Sequence, residues 1–231
     1  MNKPFSEACE RNRDPILALL RNVLKDCRSV LEIGSGTGQH AVHFGGHLPH
    51  LQWQTSDLGE NHAGIRAWID ATQPGNVLAP IALDMAAPVW PERRFDAVYT
   101  ANTCHIMSWS QVETMVAGLA RMLEPAGVFC LYGPFNYNGV CTSEGNSRFD
   151  AALRQQAPHR GIRDFEAIWL LAARNGLHLQ ADHAMPANNR LLVFAMHPVA
   201  AIQNMHESKH IALLRGRTVS APSRLADRAR I

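Results

Sequence analysis

The stretch Val30-Leu31-Glu32-Ile33-Gly34-Ser35-Gly36-Thr37-Gly38 decides the fold. An apolar strand, 29–33, runs into a loop with glycine at every second position, and residues 38–47 then read as a helix. Glycine admits positive φ and lets a ligand approach the backbone closely. The loop is therefore read as a turn that passes beneath a ligand and offers it N–H groups. A plain tight βα turn is the simpler alternative.

Outward from this loop, apolar and amphipathic runs alternate, as in α/β layering. Before it, Ile16, Leu19, Leu20, Val23 and Leu24 recur at helical spacing, so residues 15–26 read as a helix capped by Asp14 with Pro15 first. After it, strands are expected at 51–56, 77–83, 95–101 and 128–132, with a helix marked by Ile65, Trp68 and Ile69 after the first of them. Ser110 and Glu113 have the spacing of a capping box before Val112, Met115, Val116, Leu119 and Leu123. Pro125 and Gly127 end that helix, and residues 133–145 read as loop. Asp164 caps a helix stopped by Asn175-Gly176. Two closing strands, 177–184 and 190–196, flank a tight turn at 185–189. The expected class is α/β: a Rossmann-like, doubly wound sheet of seven strands, mostly parallel, with one antiparallel strand near its edge.

The spacing of the loop bears on its ligand. In the dinucleotide fingerprint G-x-G-x-x-G the third glycine falls one residue later, where this chain has Gln39. Glu32 stands two places before Gly34, where a carboxylate repels pyrophosphate and suits a cation. S-adenosylmethionine carries a sulfonium and an ammonium and no phosphate, so Glu32, Gly34, Ser35, Gly36, Thr37 and Gly38 are assigned to it. Asp57 ends the second strand beside the loop, placed to accept ribose hydroxyls, with Leu58 next to it. NAD enzymes share that acid, and a helix N-cap explains it too. Asp84 and Met85 follow the third strand, suited to the adenine amino group and ring, although Asp84 also reads as a solvated loop acid.

The same residues carry a resemblance. Residues 32–38 resemble motif I of the class I S-adenosylmethionine-dependent methyltransferases, and Asp57, Asp84-Met85 and Leu123-Glu124-Pro125-Ala126-Gly127 fall where that family has its later motifs. Residues 5–16, Gly133-Pro134-Phe135 and Met185-Pro186-Ala187-Asn188-Asn189 are similar to the group named after methyltransferase-like protein 26, a family of unknown function. The likeness covers roughly 28–197. It implies a seven-stranded class I fold with S-adenosylmethionine as donor, and names no acceptor. Ala126 stands where the wider class often has glycine, which predicts a slightly strained turn.

Methyl transfer from a sulfonium mainly needs alignment of the nucleophile and exclusion of water. Candidates for catalysis are His105 and Asn102 after the fourth strand and Tyr132 at the end of the fifth, with Asn102 able to serve donor or acceptor. His105 suits a base, since imidazole titrates near neutrality, and also suits a helix start. Arg11 and Asn12, Phe135 and Asn136, and Asn188 and Asn189 are assigned to the acceptor. Arginine matches a carboxylate or phosphate, and the Arg11-Asn12-Arg13 cluster reads as a lid or as a solvated approach to the first helix. His40, His43 and His47 share a helical face but lack a carboxylate or cysteine at ligand spacing, so they read as solvated and no metal is assigned. His40, directly after the loop, also falls near the donor.

The 231 residues are 46% hydrophobic and 18% charged, with net charge +2, ordinary for one globular domain. From Val199 onward there are six Lys/Arg against two Asp/Glu, leaving 16 against 18 before it. The expected organisation is an N-terminal lid segment and helix (1–27), a methyltransferase domain (28–198) and a basic, flexible tail (199–231). Five cysteines without a C-x-x-C pair argue against a disulfide framework and for the cytoplasm. The first ten residues lack the apolar core of a signal peptide, and no apolar run approaches the roughly 20 residues a bilayer requires. The leading expectation is a small-molecule methyltransferase with no membrane or nucleic-acid partner. An RNA or protein methyltransferase using the tail and a non-catalytic or NAD-binding protein remain as alternatives.

Overall fold

The computed structural model describes residues 3–196, so the tail expectation lies outside the described residues. The described residues form one compact unit. Its sheet strands are β1 (Ser29–Ile33), β2 (Gln52–Asp57), β3 (Val77–Ala82), β4 (Phe95–Ala101), β5 (Leu123–Gly133), β8 (Leu177–Met185) and β9 (Asn189–Met196). A separate two-stranded pair joins β6 (Phe135–Asn136) to β7 (Arg163–Asp164). The helices are α1 (Glu7–Val23), α2 (Gln39–His47), α3 (His62–Thr72), α4 (Trp109–Met122), α5 (Glu144–Gln156) and α6 (Phe165–Arg174).

The main sheet has the order β3-β2-β1-β4-β5-β9-β8. The contacts β1 to β2, β1 to β4, β2 to β3 and β4 to β5 are parallel, while β9 runs antiparallel to both neighbours. This is the doubly wound, seven-stranded arrangement expected. The chain order reverses between β1 and β4, and such a switch opens a crevice at the carboxyl ends of those strands.

Side-chain alternation divides the core. Leu31 and Ile33 of β1 join Val98, Phe129, Leu131, Leu192 and Phe194 beneath α4 and α6. Val30 joins Trp53, Tyr99, Cys130, Leu191 and Val193 beneath α1 and α2, which contribute Ile16, Leu20, Ala41 and Phe44. Burial of a large apolar side chain contributes roughly 1.5–3 kcal/mol, so these two layers hold the helices to the sheet.

Several element boundaries differ from expectation. The first helix starts eight residues early, because the Ser6 hydroxyl accepts the Cys9 N–H and caps it. Pro15 therefore sits inside α1 rather than at its first turn, and Arg11 and Asn12 belong to the helix. The capping box before α4 is Ser108 with Gln111, not Ser110 with Glu113; Glu113 instead accepts the Trp109 Nε1–H at 2.9 Å. Residues 133–145 are not all loop: they hold β6, and α5 begins at Glu144.

Ala126 sits at φ 65°, in the left-handed region. A Cβ there crowds the backbone, at a cost of roughly 1–2 kcal/mol. Ala126→Gly should therefore raise the urea midpoint by an amount worth about 0.5–1 kcal/mol after glycine's own entropy cost. A lowered midpoint would show that the turn is not strained by its methyl group.

Candidate active site

The site begins where β1 ends. Gly34, Gly36 and Gly38 all have positive φ (71°, 58° and 91°). The Gly34 and Ser35 N–H groups both donate to the Ser56 carbonyl at 3.0 Å, and the Gly36 N–H donates to Asp57 Oδ2 at 2.6 Å. The Ser56 N–H donates to Ser35 Oγ at 3.2 Å, and the Ser56 hydroxyl donates to the Glu32 carbonyl at 2.6 Å. The loop is thus bonded to the end of β2. A Cβ on Gly36 would meet nothing within 4 Å, so this backbone faces open space.

A cavity of about 790 Å3 opens over the loop. Gly34, Ser35 and Gly36 form part of its wall, with Ala101 and Asn102 from the end of β4, His105 beyond it, and Tyr132 from β5. The α1 residues Arg11 and Asn12 close one side, and Asn189 lines it from the late hairpin. Nine expected site residues therefore meet in one cavity: Arg11, Asn12, Gly34, Ser35, Gly36, Asn102, His105, Tyr132 and Asn189.

The other expected residues lie elsewhere. Thr37 lines an adjoining hollow of about 500 Å3 that shares Gly36, and Gly38 precedes α2 as its N-cap. Asp57 is buried, and its carboxylate also accepts the Leu58 N–H (2.7 Å) and Asn61 Nδ2–H (2.8 Å). Leu58 beside it is 39% exposed. Asp84 is exposed and accepts the Ala86 N–H, while Met85 is buried in the core rather than free to meet a ring. Phe135 is likewise a core side chain, because β6 turns it under the sheet. Asn136 lines a separate cavity of about 410 Å3 beside Trp109 and Arg163. Asn188 is exposed in the hairpin turn, where its carbonyl accepts the Asn146 Nδ2–H at 3.2 Å.

Glu32 is 2% exposed and accepts the Trp53 Nε1–H at 3.1 Å. Burial pushes its carboxyl up to about 7, against the opposing hydrogen bonds from Trp53 and Ser35, and the nearby Asp57 charge adds to the rise. A positive charge brought near this acid would favour its ionised form.

His40 is 4% exposed, so it does not belong to a solvated face. Its ring stacks on Phe44 at 5.0 Å, and burial lowers its pKa to about 4, so the imidazole is neutral. Its Nε2–H donates to Asn12 Oδ1 at 2.7 Å, and the Tyr99 hydroxyl stands 3.5 Å from Nδ1. Through the bond to His40 the buried Asn12 amide ties α1 to the start of α2. The cavity further contains Ser6, Cys9, Pro134, Pro186 and Ala187, which carry the resemblance but are not assigned to the site from sequence, and Asn146 and Phe149, which the sequence does not single out. Asn146 and Phe149 ride on α5, whose cap at Ser143 was the available signal.

The family described as Protein of unknown function (DUF938) matches residues 3–196. Among solved structures, the chain is similar to an O-methyltransferase family protein from Burkholderia thailandensis (17% identity, TM-score 0.72), over 84% of this chain and 58% of that one. It is similar to an O-methyltransferase family 2 protein from Planctomyces limnophilus, solved in complex with apigenin (15% identity, TM-score 0.70), over 80% and 56%. It is also similar to PigF, solved with SAH (13% identity, TM-score 0.67), over 78% and 54%. Those proteins are longer, and this chain spans little more than half their length. What is shared at these identities is the class I fold.

A Cβ at residue 34 would stand 2.6 Å from Thr103 Cγ2. Thr103 has little freedom to yield, since its hydroxyl is hydrogen-bonded to that of Thr100 at 2.7 Å. Gly34→Ala combines this clash with a disfavoured φ and should cost on the order of 2 kcal/mol in chemical denaturation. Stability equal to the parent protein would mean that the turn can relax away from Thr103.

Proposed function

The chain belongs to the DUF938 family, whose description names no activity, and we propose that it transfers a methyl group from S-adenosylmethionine to a small molecule. The observation that carries this reading is the cavity over the glycine loop, at the switch between β1 and β4, with the buried acid Glu32 in the strand that leads to it. The finer likeness to the methyltransferase-like protein 26 group rests on the sequence stretches quoted above and belongs to the same proposal. A cytoplasmic setting suits five cysteines that are all unpaired. No helix among the described residues is long and apolar enough to cross a membrane.

The residues present fit the nucleoside. Gly34, Ser35 and Gly36 offer it their backbone, which is open above Gly36; Asp57 and Leu58 stand at the neighbouring strand end, and Glu32 is a buried carboxyl that a cation would draw into its ionised form. When bound, S-adenosylmethionine supplies an activated methyl group and needs no metal to do so. The chain's task is to orient the acceptor and exclude water. Asn102, His105 and Tyr132 stand where the acceptor must reach the donor, and α1 closes the side through Asn12. Asn102 holds φ 59° with its N–H donating to the Tyr132 carbonyl, which fixes the two strand ends together.

The first test is calorimetry with S-adenosylmethionine, S-adenosylhomocysteine (SAH) and NAD. Micromolar binding of the first two supports the proposal, whereas binding of NAD alone defeats it. Asp57→Ala should weaken SAH binding by roughly 1–3 kcal/mol, from the loss of charge-assisted hydrogen bonds. Unchanged affinity would remove Asp57 from the nucleoside site.

Glu32 gives a second test. Its pKa near 7 lies above the ordinary carboxylate value, so in the empty protein its contribution to stability is complete below pH 4.5 and lost as pH rises through 7. A cationic ligand reverses the preference by favouring the carboxylate. Affinity for S-adenosylmethionine should therefore rise between pH 6 and 8, and Glu32→Gln should flatten the rise. A pH-independent affinity in the parent protein would separate Glu32 from the cation.

A further inference from the structure

We propose that the acceptor is an anionic oxygen compound, a carboxylate or an ionised phenol, received between His105 and Arg11. The proposal rests on the methyl-donor reading and adds the chemical class that the donor serves. It starts from the charge of the wall. Among the described residues that line the cavity there is no aspartate or glutamate, and the acid assigned to the donor's cation, Glu32, lies buried in β1 outside that lining. The lining does contain Arg11. Its ion pair with Glu7 is exposed on both partners, 71% and 81%, and an exposed pair of this kind contributes little, so the guanidinium is available to an anion.

His105 supplies the second half. It is 7% exposed, lines the cavity, and its ring makes no hydrogen bond to the described residues. Edge-on contact with Phe149, at 5.2 Å between centroids, and a backbone bond from the Gly161 N–H to the His105 carbonyl hold it in place. Arg163 is fixed nearby: its guanidinium donates to the carbonyls of Cys104 (3.0 Å), Met107 and His159 (2.9 Å). Burial lowers the His105 pKa to about 4, and the charges of Arg163 and Arg160 add to the fall. Burial, the main cause of that fall, disfavours charge of either sign, whereas the positive charges of Arg163 and Arg160 are what favours an anion over a cation there. The neutral ring retains one N–H donor, and that donor has no protein acceptor to compete with a ligand oxygen.

The step then balances without a base. A lone pair of the acceptor oxygen forms the O–CH3 bond as the S–CH3 bond breaks, and the electron pair of that bond stays on sulfur. The acceptor loses its negative charge, the sulfonium becomes a neutral thioether, and no proton is released. Phe149, Pro134, Pro186 and Ala187 give the remaining wall an apolar character that fits the carbon body of such an acid.

The test uses the whole chain saturated with SAH, whose own binding is measured first. Four probes are then titrated at pH 8: phenylacetate, 4-nitrophenolate, phenylacetamide and phenethylammonium. At least one anion should bind roughly tenfold or more tightly than the ammonium, the usual scale of one charge-assisted hydrogen bond. The better of the two anions distinguishes carboxylate from phenolate. Arg11→Gln and His105→Ala should each reduce the preference for the anion while leaving SAH affinity intact. Ammonium binding as tight as that of the anions, or no binding by either anion to the SAH-loaded protein, overturns the proposal while the donor reading stands. Failure of SAH itself to bind removes the donor reading and this proposal with it.

Discussion

The clamp between the glycine loop and the end of β2 is the constraint on which the site depends. Four hydrogen bonds cross it: two N–H groups on the Ser56 carbonyl, the Gly36 N–H on Asp57, and the Ser56 N–H on Ser35 Oγ. Each of these groups would otherwise need solvent or leave a buried polar atom unpaired, which costs on the order of 1–3 kcal/mol. The clamp fixes where α2 begins, and with it His40 and the wall that α1 completes. It also commits much of the Asp57 carboxylate to the protein itself, so that any ligand hydroxyl must share oxygens that already organise the loop.

The two sheet faces serve different ends. The face under α4 and α6 is mainly apolar, built chiefly from Leu, Ile, Val, Phe and Met side chains, with the buried Gln54, Ser56 and Thr100 level with Leu31 and Ile33 of β1. The face under α1 and α2 admits Glu32, His40, Tyr99 and Asn12 among its apolar residues. Buried polar groups are mostly paired in folded proteins, and here several are paired within this face: Glu32 with Trp53, His40 with Asn12. The polar face is the one that reaches the cavity, through Asn12, His40 and Tyr132.

The fold was legible because its evidence is periodic and local. The Leu31-Ile33 and Val30-Glu32 alternation, the glycines and the closing strands each declare themselves within a few residues. Three features were not. Pro15 resembles a helix start, and only the Ser6 hydroxyl on the Cys9 N–H shows that α1 is already under way. The α5 helix carries few apolar residues toward the core, with Leu153 buried and Phe149 41% exposed, so its periodicity is faint. Phe135 and Asn136 follow β5 directly, but whether a side chain there meets the cavity, the core or a separate hollow depends on the pairing of β6 with β7, some 28 residues along the chain. The cavity list was recoverable for strand ends and the glycine loop, whereas Asn146, Phe149 and the His40–Asn12 bond needed the tertiary structure.

The glycines of the loop differ in how freely descendants of this chain can replace them. At position 34 the obstacle is the methyl group of Thr103, a side chain that a single serine exchange would remove. At position 38 the obstacle is the main chain of Ile65 in α3, with Cα at 3.0 Å, which no substitution can take away. A change at residue 103 would thus remove the steric obstacle at residue 34 and leave the cost of its left-handed φ of 71°, while residue 38 stays closed to drift as long as α2 and α3 keep their present spacing.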